Sequence, residues 1–430
     1  MRGACPFVGC RLLIVTTLLM TVPAQAETLE DAWREALAVN HSLKAVRENS
    51  AAAAQQLKAA EAARWPGVSF EAGYTSLDNE PASKATLGTA SVEFPVAQQD
   101  SLGYKMMATL PLYTSGRISN GIDASSASLE ASRASEQSNT LDLKLKIAEA
   151  FVSVLRAGRG LEVASSHVNS LAGHASDAQN MYDQGLVARN DLLAAQVALA
   201  NARQQMSQAK NGLDLARSAY NYLLGRPLGQ DVSLNDLKPG AFNGSLEILT
   251  ERAITQRSEL MAVANQVTAL HHQASGIRAS GRPQIALKGG YVYQENRYQV
   301  HEEQWLVALG LQWKLFDGGV VRHQASAVER QAAGVQEQHN DLVSAISLQV
   351  RQAWLGVQES RERIQVTMVA IDQANENLKV TRDRYESGLS NSTEVLGAET
   401  LRTRSQSNLA NARYDLVLAG LRLKRAVGDL

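Results

Sequence analysis

Histidines are the first residues of this sequence that could do chemistry, because imidazole serves both as a metal ligand and as a general base. His271 and His272 are adjacent, so on a helix their side chains point in different directions. His167 and His174 share a helix face but stand two turns apart, which is long for joint ligation of one metal ion. We interpret both pairs as surface helix histidines and predict no metal site.

No other catalytic pattern is present in the sequence. Serines and aspartates are plentiful, but no nucleophile motif frames them. No glycine-rich phosphate loop follows a predicted strand. The formal net charge of -1 argues against nucleic acid as a partner, since phosphate binding needs a clustered basic surplus. We therefore predict that the protein is not an enzyme, has no catalytic residues and requires no cofactor.

The first 26 residues have the pattern of a secretory signal peptide. Arg2 and Arg11 supply its charge, residues 12–20 its apolar core, and Ala24-Gln25-Ala26 its cleavage site. Both cysteines, Cys5 and Cys10, lie within this segment, so we predict a mature chain without disulfides. No later segment is long and apolar enough for a transmembrane helix, so a secreted chain of this kind spans a membrane only through β-strands.

The sequence contains an internal duplication. Residues 110–225 align on 313–428 with an offset of 203, and residues 29–74 align on 246–291 with an offset of 217. The offsets differ by 14, so the first copy carries 14 extra residues between positions 74 and 110. Two unrelated alanine-rich helices would not share matched prolines, glycines and aromatics such as Pro66 and Pro283, Gly116 and Gly319, and Tyr74 and Tyr291. We predict a first structural repeat over 27–228, a linker over 229–244 and a second repeat over 245–430.

Each copy reads as helix, strand, loop, strand, very long helix, turn and long helix. Residues 112–226 and 284–430 contain none of the nine prolines, which a helix interior tolerates least. Apolar residues recur every seven positions: Ile147, Val154, Leu161, Val168, Ala175 and Tyr182 in copy one, and Val350, Val357, Ile364, Ile371, Leu378 and Tyr385 in copy two. This period is typical of supercoiled helices. We predict that each copy folds back as an antiparallel hairpin, at Gly185 and at Gly388.

Two segments of each copy alternate apolar residues with small or polar ones. The apolar positions are Val68, Phe70, Ala72 and Tyr74; Tyr104, Met106, Ala108, Leu110 and Leu112; Ile285, Leu287, Tyr291 and Tyr293; and Val307, Leu309, Leu311, Trp313 and Leu315. The pattern fits the wall of a membrane β-barrel, although a half-buried hairpin gives the same alternation. The connection 75–103, which holds the 14-residue surplus, is predicted to be a loop.

Four strands leave open edges, which lipid does not tolerate, so copies of the chain must share one barrel. The predicted fold is mainly α with a small β part: long antiparallel coiled-coil helices, and four β-strands that contribute to an oligomeric membrane β-barrel. The alternative is a secreted periplasmic coiled-coil spacer or tether whose strands stay in water. A periplasmic hydrolase on a helical scaffold would need a catalytic cluster that the sequence lacks.

This arrangement resembles the TolC-like outer-membrane efflux protein family over residues 27–430. The most specific motifs are Tyr385-Glu386-Ser387-Gly388-Leu389 and Thr393-Glu394-Val395-Leu396, with Tyr182-Asp183-Gln184-Gly185-Leu186 and Asp191-Leu192-Leu193 as their counterparts in copy one. The resemblance implies a homotrimer embedded in outer-membrane lipid, whose long antiparallel coiled-coil helices form an α-barrel that extends into the periplasm as a helical tunnel. It also implies a periplasmic adaptor and an inner-membrane pump as partners, and hence the exit duct of a tripartite efflux or type I secretion system.

The resemblance further implies roles for residues at the periplasmic end. The adaptor-docking tip turns are Gly185, Leu186, Gly388 and Leu389, and the entrance and gating residues are Tyr182, Tyr385, Asp191 and Glu394. Structural explanations stay open: the glycines cap helix ends, the leucines pack within the hairpins, and the acids favour the helix dipole. Three copies of Glu394 would form a cation-attracting ring. Ser390 and Gly397 stand where relatives carry a basic and an acidic residue, so we hypothesise a weaker lock and a weaker cation site.

Overall fold

The computed structural model describes residues 26–240 and 244–430. Residues 1–25 of the predicted signal peptide therefore lie outside the described residues. The first copy forms α1 (Leu29–Val39), α2 (His41–Ala62), β1 (Gly67–Ser76), β2 (Ala82–Leu87), β3 (Ala90–Pro95), β4 (Asp100–Tyr113), α3 (Arg117–Asp183) and α4 (Arg189–Leu224). The second copy forms α5 (Leu246–Gln256), α6 (Ser258–Ser280), β5 (Gln284–Gln294), β6 (Glu303–Gln312), α7 (Val320–Glu386) and α8 (Ser392–Val427).

The internal duplication is visible in the lengths of the long helices. α3 and α7 each have 67 residues, and α4 and α8 each have 36. At about 1.5 Å per residue, α3 and α7 are rods of roughly 100 Å. The heptad positions Ile147, Val350 and Val357 are buried, as the period predicts. None of the helices in residues 26–240 and 244–430 has the length and apolar character that a membrane crossing needs.

The helical segment before the first strand of each copy is broken into two helices. The sequence predicts a single helix there, and this prediction is wrong. Asn40 leaves the helical conformation with ψ 119°, and its side chain caps α2 by accepting a hydrogen bond from the Leu43 amide. Arg257 is the equivalent break in copy two, with ψ 122°. Neither break carries proline or glycine, so tertiary contacts of the two side chains stabilise the bend.

One four-stranded antiparallel sheet, in the order β1-β4-β5-β6, joins the two copies. Phe70, Met106, Tyr291 and Trp305 lie opposite one another across it, so one face is apolar and rich in aromatics. The other face carries small and polar side chains, including an ion pair of 2.7 Å between Glu71 and Lys105. This confirms the four predicted strands and their phase, except that β6 ends at Gln312, before the predicted positions Trp313 and Leu315. Among the described residues, β1 and β6 each keep one edge without a strand partner.

The connection between β1 and β4 is not only a loop, so that part of the sequence prediction is wrong. It contains an antiparallel hairpin, β2 with β3, closed by an ion pair of 2.7 Å between Lys84 and Glu93. The base of the hairpin contacts the β5–β6 connection, where Glu80 accepts hydrogen bonds from Arg297 at 2.7 Å and from the Tyr298 hydroxyl at 2.6 Å. The 14-residue surplus of copy one therefore belongs to a folded appendage.

The main core lies midway along the helical body, where α1, α3 and α4 meet. Phe151 and Tyr220 are both fully buried and pack edge to face with ring centroids 5.9 Å apart. The equivalent core of copy two contains Ile346 and Val350 from α7 beside Leu260 from α6. These two clusters fix the short helices against the long ones at the same level of the body.

A buried ionic network joins the two copies at this level. Arg425 of α8 is 6% exposed and donates to Asp142 of α3 at 2.7 Å and to Glu259 of α6 at 2.6 Å. Arg257 adds a hydrogen bond of 2.8 Å to Glu259. Burial opposes ionisation of Glu259, but the hydrogen bonds from Arg257 and Arg425 outweigh it and lower its pKa to about 2. The carboxylate is therefore charged at neutral pH and stabilises both arginines.

The helical tips as a candidate functional site

The far ends of the two hairpins have the same backbone geometry. Two residues beyond the last residue of α3 and of α7 stands a glycine with φ +72°, Gly185 and Gly388 respectively. The next amide, of Leu186 or Leu389, donates back to the carbonyl oxygen five residues earlier at 2.8 Å in both turns. The glycine amide itself donates to the carbonyl oxygen three residues earlier at 2.9 Å in both turns. Together the two bonds form the double hydrogen-bond pattern of a glycine C-cap, in which a left-handed residue closes the helix. The predicted capping function of both glycines is thus visible in the turns.

Two leucines project from the turns into solvent. Leu186 is 65% exposed and Leu389 is 71% exposed. The alternative given above, in which these leucines pack inside their own hairpins, does not account for such exposure within one chain. Both leucine side chains are therefore accessible at the surface of the single chain.

The predicted entrance acids begin the two return helices. Asp191 lies in the first turn of α4, and Glu394 lies in the first turn of α8. The side chain of Asn391 accepts the Glu394 amide at 3.1 Å, while the Ser390 hydroxyl donates to the Glu394 carboxylate at 2.8 Å. Both carboxylates therefore interact favourably with the positive end of the helix dipole, and Glu394 is also exposed to solvent.

The two tyrosines of the tip motifs occupy different environments, although they are equivalent in the duplication. Tyr182 is 38% exposed, whereas Tyr385 is 2% exposed and its ring lies 5.1 Å from that of His174. Burial raises the pKa of Tyr385, and the nearby charges of Asp191 and Asp177 raise it further. The structure thus brings Tyr385 and Asp191 near one another, while Tyr182 faces outward.

Close to the tip lies a buried carboxylate that the sequence analysis missed. Glu399 of α8 has no exposed surface and accepts hydrogen bonds from Ser170 of α3 and, at 2.8 Å, from Arg382 of α7. Arg402 lies 3.0 Å from its other oxygen as an ion pair. One charged group therefore holds three helices together. The heptad positions identified in the sequence end at Tyr385, before α8, so they give no sign of Glu399 or of its partners.

His174 is not a surface residue, so the sequence interpretation of this histidine is wrong. It is 4% exposed, and its Nε2 lies 2.9 Å from the Ser392 hydroxyl. His167, one heptad earlier, is half-buried, with its Nδ1 2.9 Å from the Thr403 hydroxyl. The shared helix face was recognised in the sequence, but it faces α8 rather than water. Over the part of the chain that the structure describes, no group of three or more potential ligands could hold a metal ion.

A body of long paired helices that joins an antiparallel sheet with one apolar face is the subunit architecture of known outer-membrane channel proteins. The structure superimposes on the outer-membrane channel OprN with a TM-score of 0.78 and 20% identity, covering 94% of this chain and 90% of that chain. It superimposes on the outer-membrane protein VceC from Vibrio cholerae with a TM-score of 0.78 and 19% identity, covering 93% of this chain and 96% of that chain.

Residues 32–226 and 249–429 match the model of the outer membrane efflux protein family, and the chain belongs to that family. It is 25% identical over 313 residues to the alkaline protease secretion protein AprF of Pseudomonas aeruginosa, covering 68% of this chain and 63% of that protein. It is 22% identical over 430 residues to the outer membrane protein TolC of Vibrio cholerae, covering 97% of this chain and 95% of that protein. The protein is thus an outer-membrane protein that extends into the periplasm.

Proposed function

We propose that the protein is the passive exit duct of a tripartite efflux or type I secretion system. Cargo enters at the helical tips, crosses the periplasm inside the helical tunnel and leaves through the barrel. The duct performs no chemistry, and the partner pump supplies the energy. The single observation that carries this proposal is the four-stranded sheet, which has one apolar face and two open edges at one end of a body roughly 100 Å long.

The sheet supports a shared barrel because its edges match. β1 and β6 run in opposite directions, so β6 of one copy can continue antiparallel onto β1 of the next. Closing the ring satisfies the edge amides and carbonyls, which lipid cannot do. Exposed apolar side chains such as Val307, Leu309 and Leu311, each at least 66% exposed in the single chain, then meet lipid. We propose a homotrimer, as the family resemblance implies.

The tips support docking of a periplasmic adaptor that links the duct to an inner-membrane pump. Gly185 and Gly388 shape the two turns, and Leu186 and Leu389 are the proposed contact residues. Tyr182, Tyr385, Asp191 and Glu394 are the proposed entrance residues. The repeat boundaries at 27–228 and 245–430, with the linker between them, remain part of this proposal.

Extraction, size and conductance test the duct. The full chain is expressed with its N-terminal segment, the outer membrane is extracted with mild detergent, and the purified protein is added to planar bilayers. A detergent-extracted trimer that conducts ions supports the duct. A water-soluble rod without conductance would instead support the coiled-coil spacer.

Block of the conductance by multivalent cations tests the role of Glu394. Glu394→Ala is expected to weaken the block, because three carboxylates at a narrow mouth attract cations. Glu386→Ala is the matched control, since Glu386 is an exposed carboxylate at the end of α7. Equal block of the wild type and of Glu394→Ala would show that Glu394 does not form a cation-attracting ring at the entrance.

A further inference from the structure

The contact between α3 and α8 changes character along its length. Midway along the body, Val152 of α3 packs against Tyr414, Val417 and Leu418 of α8 in an apolar cluster. Towards the tip the same contact is made by polar pairs: His167 with Thr403, Ser170 with Glu399, and His174 with Ser392. We name this tip-proximal stretch, defined by those three pairs, the polar seam. It joins a helix of the first copy to a helix of the second.

Both histidines of the polar seam lie near charged groups of both signs: those around His174 come from three helices, and those around His167 from α8 alone. His174 has Asp177 on its own helix, Arg382 on α7 and Glu399 on α8 as its charged neighbours, and the Tyr385 ring against it. His167 has Glu399 and Arg402 on α8. Added positive charge on either imidazole therefore meets an arginine as well as a carboxylate.

The duplication shows that the polar seam is specific to one side of each hairpin. With the offset of 203, the α3 positions 167, 170 and 174 correspond to Ala370, Gln373 and Asn377 of α7. The α8 positions 392, 399 and 403 correspond to Arg189, Gln196 and Ala200 of α4. In a closed ring, α7 would meet α4 of the next copy in the same way that α3 meets α8. That second seam contains no histidine and no buried carboxylate at the equivalent positions.

We propose that His167 and His174 make the polar seam a proton-sensitive latch, which holds the two hairpins of one chain together at neutral pH and loosens in acid. The purpose of the latch, opening of the tip, rests on the proposed exit duct. The existence of the latch does not, because the seam lies within one chain.

The sign of the effect follows from burial. Burial lowers the pKa of both imidazoles from the ordinary value of 6.5; Arg382 adds to this at His174, and Glu399 opposes it at both. When the seam opens, the rings regain water and their ordinary pKa. The closed seam is therefore fully stabilised above pH 6.5 or so, and it loses stability as the pH falls from there towards the lowered pKa. Between pH 7.5 and 5.5 the opening equilibrium rises by up to about tenfold for each histidine.

Hydrogen–deuterium exchange of the detergent-solubilised full chain tests the latch without any need for conduction. Exchange is followed from pH 7.5 to 5.5 in residues 392–405 of α8 and in residues 189–202 of α4, each divided by the intrinsic amide rate at that pH. In the wild type we expect exchange in the α8 segment to rise more than twofold relative to the α4 segment, below a ceiling of about 100-fold for the two histidines together. The same relative rate at both pH values would overturn the proposal, even if the protein conducts.

Variants assign the effect to the two imidazoles. His167→Gln/His174→Gln keeps a hydrogen-bonding side chain but does not titrate, so its relative exchange should change by less than about twofold over the same pH range. His271→Gln/His272→Gln, at the opposite end of the helical body, is the matched control and should follow the wild type. Wild-type protection of the double variant at pH 7.5 verifies its fold, and each single variant should lose about half of the response on a logarithmic scale. A full acid response in the double variant would refute the assignment.

Discussion

Glu399→Gln is the substitution that should most weaken the tip of the helical body. The wild-type carboxylate is fully buried and is shared by Arg382, whose side chain is 41% exposed, and Arg402, whose side chain is 18% exposed. Glutamine keeps the shape and can still accept the Ser170 hydroxyl, but it removes the charge that both arginines face. The variant therefore isolates the electrostatic contribution of this buried group.

The expected cost follows from the exposure of the partners. Removing one member of a buried ion pair costs about 3–5 kcal/mol, because the other charge stays buried without compensation. Arg382 can turn to water, which reduces the cost to about 2 kcal/mol. This corresponds to a roughly 30-fold larger opening equilibrium constant for the surrounding segment. Arg382→Gln should cost less, about 1 kcal/mol, since Arg402 still neutralises Glu399.

Hydrogen–deuterium exchange at pH 7 in residues 392–405 measures this opening. Glu386→Gln is the control, because it neutralises an exposed carboxylate on the neighbouring helix α7. We expect the control to exchange at the wild-type rate. If Glu399→Gln also stays within about twofold of the wild type, the buried carboxylate contributes no net stability and the electrostatic reasoning is refuted.

Three further outcomes are expected. Glu259→Gln should lose about 3 kcal/mol of stability above pH 4.5, because the pKa of Glu259 is held at about 2. It should also lose the acid sensitivity that the wild type shows between pH 4.5 and 2, and thermal unfolding from pH 2 to 7 measures both effects. Leu309→Arg places a charge on the apolar sheet face at a cost of about 2 kcal/mol, so the yield of membrane-assembled protein should fall. Ala308→Arg, on the opposite face, should assemble normally. Gly388→Ala, at φ +72°, should destabilise the tip by about 1 kcal/mol, while Gly397→Ala inside α8 should stabilise the helix, as measured by thermal unfolding.

The parts of the fold that could be predicted are those in which apolar residues repeat at a regular spacing along one segment and all face the same surroundings. A seven-residue period requires a neighbouring helix, so the buried positions Ile147 and Val350 were readable without any knowledge of partners. Period two located the four sheet strands and the face of each residue. The two tip turns were predictable because a left-handed residue after a long helix is almost always glycine.

The remaining features depend on contacts between segments that are distant in the sequence. The breaks at Asn40 and Arg257 contain no helix breaker, and the Arg257 side chain is held at 2.6 Å by Gln349, 92 residues away. The β2–β3 hairpin was missed because its strands are short, although the alternation of Val92, Glu93 and Phe94 after Gly88 was a usable signal. His174 and Glu399 are buried because three helices converge around them. The periodicity of a single helix does not show which other helices pack against it.

The equal lengths of α3 and α7, and of α4 and α8, constrain how this chain can change over evolution. Each residue added to one long helix lengthens it by about 1.5 Å and rotates everything beyond it by about 100°, so the two turns would no longer end level. A viable insertion in α3 would need a matching insertion in α4, and both again in α7 and α8. An insertion in the connection between β1 and β4 needs no matching insertion elsewhere, and the 14 surplus residues lie there. The lengths of the four long helices are therefore fixed relative to one another and to the width of the periplasm. Length variation among related chains should be confined to the strand connections at the end of the sheet that faces away from the helices.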